Sequence, residues 1–361
     1  MSKGRAAVAM SGGVDSSVAA WLVQQAGYEA AGVTLKLYDN EDIGICNDKT
    51  CCSQRDTEDA AMVADRLGMR HYVLNYRQEF IDEVIKRFVD AYCRGETPNP
   101  CIDCNKYVKF GKLCQAVRGM GFTHIATGHY ARIEYDAASG RWLLRKGVNE
   151  EKDQSYVLYG LTQEQLSMTL LPLGTLSKPQ VRAIAQEQGF INAGKHDSQD
   201  ICFVPDGNYS GFIEHFTGKT FPEGDFVDPE GKVLGRHRGL IRYTIGQRKG
   251  LGLAMCEPVY VKAKDPAANR VVVSGDSALY TRNLDAKDVN LIACDGFTGT
   301  VRLKARIRYK HPEQWANVTM TGPDSIHVEF EEPQRAIAPG QAVVLYDGDV
   351  VFGGGTICSE K

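Results

Sequence analysis

The sequence predicts an α/β protein: a doubly wound parallel sheet at the N-terminus, then a small central β-rich domain and a C-terminal β-barrel. Three observations carry this. A strand, a glycine-rich turn and a helix follow one another over residues 5–28. Strands then alternate with helical patterns to about residue 207, as a parallel sheet requires. Beyond about 208, helical periodicity gives way to short alternating runs punctuated by glycine. The expected domains are therefore 1–207, 208–280 and 281–361.

The first apolar run, Arg5 to Met10, ends in Ser11-Gly12-Gly13-Val14-Asp15-Ser16-Ser17 and enters a helix with Val18, Trp21 and Leu22 on one face. Glycines 12 and 13 permit positive φ and close approach of a ligand, and Ser11, Ser16 and Ser17 offer hydroxyls. The amides of the helix N-terminus face an anion. A Gly-Lys-Ser/Thr ending is missing, so a lysine-held γ-phosphate is not indicated. Asp15 would repel phosphates unless a magnesium ion lay between them. A turn that binds nothing is the simpler alternative, and the flanking strand and helix argue against it.

Next come a strand from Ala31 to Tyr38, a loop with Cys46, Cys51 and Cys52, a helix from Asp56 to Leu67, a strand from His71 to Asn75 and a helix from Glu79 to about Tyr92. Thr97-Pro98-Asn99-Pro100-Cys101-Ile102-Asp103-Cys104 is extended by its prolines and delivers two cysteines to the first turn of a helix running to about Arg118. A helix N-terminus lowers a thiol pKa, so thiolate chemistry is expected there. His124 to Tyr130 is a strand ending at Gly128-His129, residues 131–146 a hairpin around Ser139-Gly140, and Lys152 opens a further helix. Ser177 to Gln180 is a capping box. A polar loop, residues 197–203, carries Cys202.

Residues 231–256 contain no Asp or Glu and carry Lys232, Arg236, Arg238, Arg242, Arg248 and Lys249, a block suited to phosphate contacts. In residues 301–310, alternation places Arg302, Lys304, Arg306, Arg308 and Lys310 on one strand face, which points to nucleic acid. Net charge is only -3, so any such footprint is local. The eleven cysteines, with neither a signal-peptide pattern nor a bilayer-spanning stretch, are expected in a reducing cytoplasm, with no membrane partner. Cys93, Cys114, Cys256, Cys294 and Cys358 are expected to be small buried apolar residues.

Taken together, MSGGVDSS at 10–17, TPNP with Cys104-Asn105-Lys106 at 97–106, ATGHYAR at 126–132, KDQSY at 152–156, DSQDICF at 197–203, YTIGQRKGLG at 243–252 and RYKHP at 308–312 resemble the tRNA-specific 2-thiouridylases (the MnmA/TrmU family), within the PP-loop ATP pyrophosphatases. The resemblance runs from end to end. It implies an N-terminal PP-loop domain of the adenine nucleotide alpha hydrolase type, a central domain and a C-terminal barrel. It also implies ATP and Mg2+, with Ala9, Met10, Ser11, Gly12, Gly13, Val14, Asp15, Ser16, Leu35 and Gly128 at the nucleotide. Cys104 matches the family's nucleophile and Cys202 its persulfide carrier. Contacts to tRNA carry over to Asn99, Pro100, Cys101, His129, Lys152, Asp153, Gln154, Arg308, Tyr309 and Gln341.

The implied partners are the tRNAs for Lys, Glu and Gln and a sulfur donor such as a cysteine desulfurase or sulfur carrier, with the free protein a monomer. The chain departs from the family pattern at Cys101, where an aspartate is usual. Three readings follow: persulfide chemistry, a four-iron four-sulfur cluster on Cys101, Cys104 and Cys202, and half a zinc site completed by Cys51 and Cys52. Two other functions compete: a PP-loop ligase delivering ammonia, which would need an ammonia source, and a nucleotide-binding regulator with an RNA-binding barrel, which would not need Cys104 and Cys202.

Overall fold

The computed structural model describes residues 3–39, 54–195 and 201–359. The loop bearing Cys46, Cys51 and Cys52, and residues 196–200 ahead of Cys202, lie outside these. Strands β1 (Arg5–Ala9), β2 (Glu29–Lys36), β3 (His71–Asn75), β4 (His124–Ala126) and β7 (Thr169–Leu170) form a parallel sheet in the order β3-β2-β1-β4-β7. Helix α1 (Val14–Gln25) follows β1, and α2 (Gln54–Arg66) precedes β3. Ala6, Ala7 and Val8 are buried, as suits a strand covered on both faces. Chain order reverses between β1 and β4, each paired to the other in register Ala6 with His124. That switch point is where ligands bind in such sheets.

Two long helices follow β3: α3 (77–93) and α4 (100–119), each continuous through a wider π-type stretch, at 81–85 and 104–112. Asn99 caps α4 by accepting from Cys101 N at 3.1 Å, and Pro100 occupies its first turn, where a missing N–H costs nothing. The helix expected at Lys152 is absent, and two short 3-10 turns, Glu150–Lys152 and Ser155–Leu158, stand there instead. Asp153 accounts for this, since its carboxylate accepts from Gly147 N, Ser155 N and Ser155 Oγ at 2.8–3.1 Å, competing with a helical ladder.

Short α5 (Gln163–Ser167) precedes β7; α6 (Lys178–Glu187) has the expected Ser177–Gln180 capping box, and α7 (Tyr209–Thr217) leads into the central domain. Its sheet runs β10 (Tyr260–Asp265), β11 (Arg270–Ser274), β8 (Gly224–Val227), β9 (Val233–His237). The C-terminal strands β12 (Tyr280–Leu291), β13 (Thr300–Arg306), β14 (Gln314–Gly322), β15 (Ser325–Arg335), β16 (Ala342–Asp347) and β17 (Val350–Ile357) close into a barrel through pairing of β12 with β17.

The hairpin β5 (Ala131–Asp136) and β6 (Arg141–Lys146) leaves the α/β domain and adds to the barrel sheet through Val350 opposite Arg145. The two regions consequently share one core, in which Phe80, Phe88 and Tyr156 meet Ala342, Val344 and Tyr346.

The basic strand differs from its sequence reading. Only Thr300–Arg306 is strand, so Arg308 and Lys310 leave the expected face. Other strands and turns also supply acids that linear alternation does not reveal: Arg302 pairs with Glu331 of β15, across β14, at 2.6 Å, and Arg306 with Glu313 at 3.0 Å. In the 231–256 block, Arg236 likewise pairs with Asp225 and Arg242 with Glu214. Of the five cysteines expected to be buried, Cys114 is buried, Cys294 and Cys358 are intermediate, and Cys93 and Cys256 are exposed. Cys93 ends α3 and Cys256 lies in the loop before β10, so neither faces a core.

Phe203, 1% exposed, meets Phe80, Phe88 and Phe212 at ring distances of 5.1–5.7 Å, directly beside Cys202. Phe203→Ala is expected to cost about 3–5 kcal/mol of stability in urea denaturation.

Candidate active site at the carboxyl edge of the sheet

The Ser11 loop leaves β1 at the switch point and is shaped by close contacts. Gly12 has φ +72°, and a Cβ there would lie 2.2 Å from the Asp56 carbonyl oxygen. A Cβ on Gly128 would lie 2.8 Å from the Asp15 carbonyl carbon and 2.9 Å from Ser16 N. Only glycine fits either position. Ser16 and Ser17 do not present their hydroxyls outward as expected, but donate to the Gly13 carbonyl at 2.9 and 3.1 Å, a local side-chain bond typical of serine in a first helical turn. Ser11 remains exposed. Met10 and Leu35 are buried walls and Ala9 half-buried, so these three can offer backbone and apolar contact only.

Asp15, expected to need magnesium, is satisfied by the protein itself. Lys178 Nζ donates to its two oxygens at 2.7 and 2.9 Å, and Tyr130 Oη donates at 2.7 Å. A buried cation from α6 thus balances the carboxylate beside the phosphate loop. A second lysine, Lys195, holds Asp56 and Asp59, the latter at 2.8 Å. Neither lysine was singled out by sequence, because partners 136–163 residues away leave no local spacing signal.

Cys104 is buried and belongs to the same apolar cluster as Phe80, Phe88 and Phe203, and Cys202 packs at that cluster's margin. The Cys202 carbonyl accepts from Tyr38 Oη at 2.8 Å, and Tyr38 lies just past the end of β2. Residues 110–112 of α4 already stand level with the sheet's carboxyl edge: Phe110 meets the His129 ring at 5.9 Å, and the Lys112 carbonyl accepts from Tyr76 Oη at 3.3 Å. The first turns of α4, with Cys101 and Cys104, therefore project past that edge, on the side of the phosphate loop. Cys101 is exposed. Among the described residues no three His, Cys, Asp or Glu side chains group to hold a metal ion, and Cys51 and Cys52 of the zinc alternative lie outside them.

The residues expected at tRNA divide by accessibility. Asn99 and Pro100 form the cap of α4, and this segment is clamped by the barrel: Gln341 Nε2 donates to the Thr97 carbonyl at 2.7 Å and Thr97 N donates to the Pro339 carbonyl at 2.8 Å. Gln154 exchanges bonds with the Tyr130 backbone, while Lys152 lies half-buried beside it. His129 is buried, with Nδ1 2.8 Å from Thr127 Oγ1, and burial lowers its pKa to about 3, with Lys109 adding to the effect, so it is neutral at working pH. Arg308 Nη2 donates to the carbonyls of Ala336 at 2.6 Å and Ile245 at 3.3 Å, bridging barrel and central domain. Tyr309 stands 6.0 Å from the Tyr156 ring, its phenol pKa raised by burial first and then by Asp153.

Asp103, next to Cys104, has its pKa raised to about 6, chiefly by burial, against the opposing pull of Arg87 and Lys106.

Residues 4–206 match the family model described as a tRNA methyl transferase HUP domain, 210–275 a tRNA methyl transferase PRC-barrel domain, and 281–357 an aminomethyltransferase beta-barrel domain. Proteins named tRNA-specific 2-thiouridylase MnmA match along their whole length. That of Clostridioides difficile (strain 630) is 48% identical over 350 residues, covering 97% of each chain. That of Moorella thermoacetica is 51% identical over 350 residues, covering 97% of this chain and 98% of its own. That of Acetivibrio thermocellus is 48% identical over 358 residues, covering 99% and 100%.

Two outcomes follow from the site's electrostatics. Lys178→Met strands the Asp15 carboxylate and is expected to cost about 2 kcal/mol, less than the 3–5 of a fully buried pair because Asp15 keeps some solvent. Asp103 has a folded pKa above its ordinary 3.8, so the folded state favours the protonated acid: that contribution is complete below about pH 4 and lost as pH rises to about 6. Asp103→Asn should match the parent protein at pH 4 and exceed it at pH 7 by at most about 3 kcal/mol in denaturant titrations.

Proposed function

The chain belongs to the tRNA-specific 2-thiouridylase family, and from that premise we propose that it thiolates C2 of the wobble uridine in tRNA, with the tRNAs for Lys, Glu and Gln as substrates. The observation that carries the proposal is the gathering of the phosphate loop, the first turns of α4 with Cys104, and the Cys202 carbonyl at one edge of one sheet. Methyl transfer, which two of the domain descriptions name, would draw on a sulfonium donor that has no phosphate for the glycine-rich loop to bind.

In the proposed sequence the uridine C2 oxygen attacks the α-phosphate of ATP, pyrophosphate leaves, and an adenylate forms. Amides of the Ser11 loop stabilise charge on the phosphates. The terminal sulfur of a persulfide on Cys202, loaded by an external donor such as a cysteine desulfurase or sulfur carrier, then adds to C2 and AMP departs. The Cys104 thiolate attacks the Cys202 sulfur, which forms a disulfide and leaves 2-thiouridine on the tRNA. An external thiol reduces that disulfide for the next turnover. Cys101 sits one helical turn before Cys104, where it can exchange with the same disulfide.

His129, Asp153, Gln154 and Arg308 are tied down by the protein, and their proposed role is to shape the tRNA surface rather than to meet it first. Asn99, Cys101, Tyr309 and the clamp residue Gln341 border the α4 tip, where the target base would enter, and Lys152 is a further proposed contact to the tRNA. The expected cytoplasmic location accords with this activity, and no helix among the described residues is long and apolar enough to cross a membrane.

The test is anaerobic incubation with tRNA, labelled ATP and a persulfide donor, with iron and acid-labile sulfide measured on the same preparation. Pyrophosphate release should depend on tRNA and be accompanied by 2-thiouridine. Cys104→Ser and Cys202→Ser should each lower thiolation by at least about 10³-fold, as expected when a covalent-chemistry residue is removed. Full activity without Cys202, or activity that tracks bound iron, would overturn the persulfide route.

A further inference from the structure

Two side chains outside the expected nucleotide set bond the backbone of the phosphate loop, and both meet it at the Gly12 carbonyl. Asn192 Nδ2 donates to the Gly12 carbonyl at 3.0 Å and to Ser17 Oγ at 2.9 Å. Lys195 Nζ donates to the same carbonyl at 3.1 Å. Both come from the segment after α6, about 180 residues along the chain from the loop. Asn192 is 3% exposed, so its amide has little water with which to exchange these bonds.

The Gly12 carbonyl shares a planar trans peptide with the Gly13 N–H, and in that plane the C=O and N–H bonds point in opposite directions. Drawing the oxygen toward Asn192 and Lys195 therefore turns the Gly13 N–H to the other side of the loop. There no described residue accepts it. Gly13 is also the N-cap of α1, so its amide adjoins the helix N–H groups that lack intrahelical acceptors. Lys195 would be a natural phosphate ligand by charge, but Asp56 and Asp59 already engage that charge. What it presents to the loop is a fixed donor on the side away from the ligand.

We infer that Asn192 and Lys195 are positioning residues that aim the Gly13 N–H at the ATP phosphates by holding the Gly12 carbonyl on the far side of the loop. The inference rests on the ATP reading above and deepens it. The hold matters because two consecutive glycines rotate at low steric cost. A Gly12–Gly13 peptide released from its two donors can turn its carbonyl oxygen toward the phosphates, replacing an attractive dipole with a repulsive one. The effect must therefore appear with phosphorylated ligands and not with the nucleoside alone.

The test is calorimetric titration of the full chain with ATP, adenosine and tRNA, comparing the parent protein with Asn192→Ala, Lys195→Met and Lys195→Arg, alongside thermal melts. Asn192→Ala and Lys195→Met are expected to weaken ATP at least tenfold while adenosine and tRNA stay within twofold, and Lys195→Arg should recover most of the ATP affinity. Unchanged ATP affinity, or a parallel loss for ATP and adenosine, overturns the inference. If the parent protein binds no ATP, the ATP reading fails and takes the inference with it; if only the variants are unaffected, the inference alone fails. Should Lys195→Met not fold, Asn192→Ala, which removes no charge, decides the matter by itself.

Discussion

The near-contact between Gly128 and the backbone of Asp15 and Ser16 is the constraint on which the site depends. Parallel strands β1 and β4 pair side by side, yet their chains leave the sheet separately, and the crevice between them narrows until only hydrogen fits at residue 128. The phosphate loop is consequently braced on three sides: by the loop after β4, by the start of α2 pressing on Gly12, and by the segment after α6 bonded to the Gly12 carbonyl. A loop of small residues has little conformational preference of its own. Here its shape is imposed by neighbours.

The same logic of borrowed rigidity extends to the cysteines. Helix α4 holds Cys104 in an apolar cluster that includes residues of the parallel sheet, of α3, around Phe203 and of the barrel. The extended segment before α4 is pinned by Gln341 and Pro339, which belong to the turn between β15 and β16. At Gly340, with φ +85°, a Cβ would lie 2.8 Å from Glu96 Cβ, so barrel and helix tip meet at backbone distance. The barrel is thus mechanically part of the thiol site, and the β5–β6 hairpin running into its sheet reinforces the joint.

Charge is handled in a consistent way. Several basic residues that look unopposed in linear sequence are matched by acids brought near by folding, as Arg302 is by Glu331 across β14 and Arg306 by Glu313 in the turn after β13. The two lysines nearest the phosphate loop are likewise matched by carboxylates. Among the described residues nothing accepts from the Gly13 N–H, which leaves an anion at the loop a donor without a competing counter-ion.

By itself the sequence determined the parallel sheet, the phosphate loop, the proline-led start of α4, the capped start of α6, the hairpin at 131–146 and the barrel region, because each is written in local periodicity, glycine or proline placement or capping chemistry. It also marked Cys104 and Cys202 and, through end-to-end motifs, the family. It misjudged the stretch at Lys152, where Asp153 captures backbone donors, and the exposure of Cys93 and Cys256, which depends on what packs beside them. Only the tertiary structure decided that Lys178 neutralises Asp15, that Asn192 and Lys195 hold the Gly12 carbonyl, that Arg308 bridges two domains and that Gln341 pins the approach to α4. Each of these is a hydrogen bond or ion pair across more than twenty residues of chain, and no local spacing rule encodes the partner.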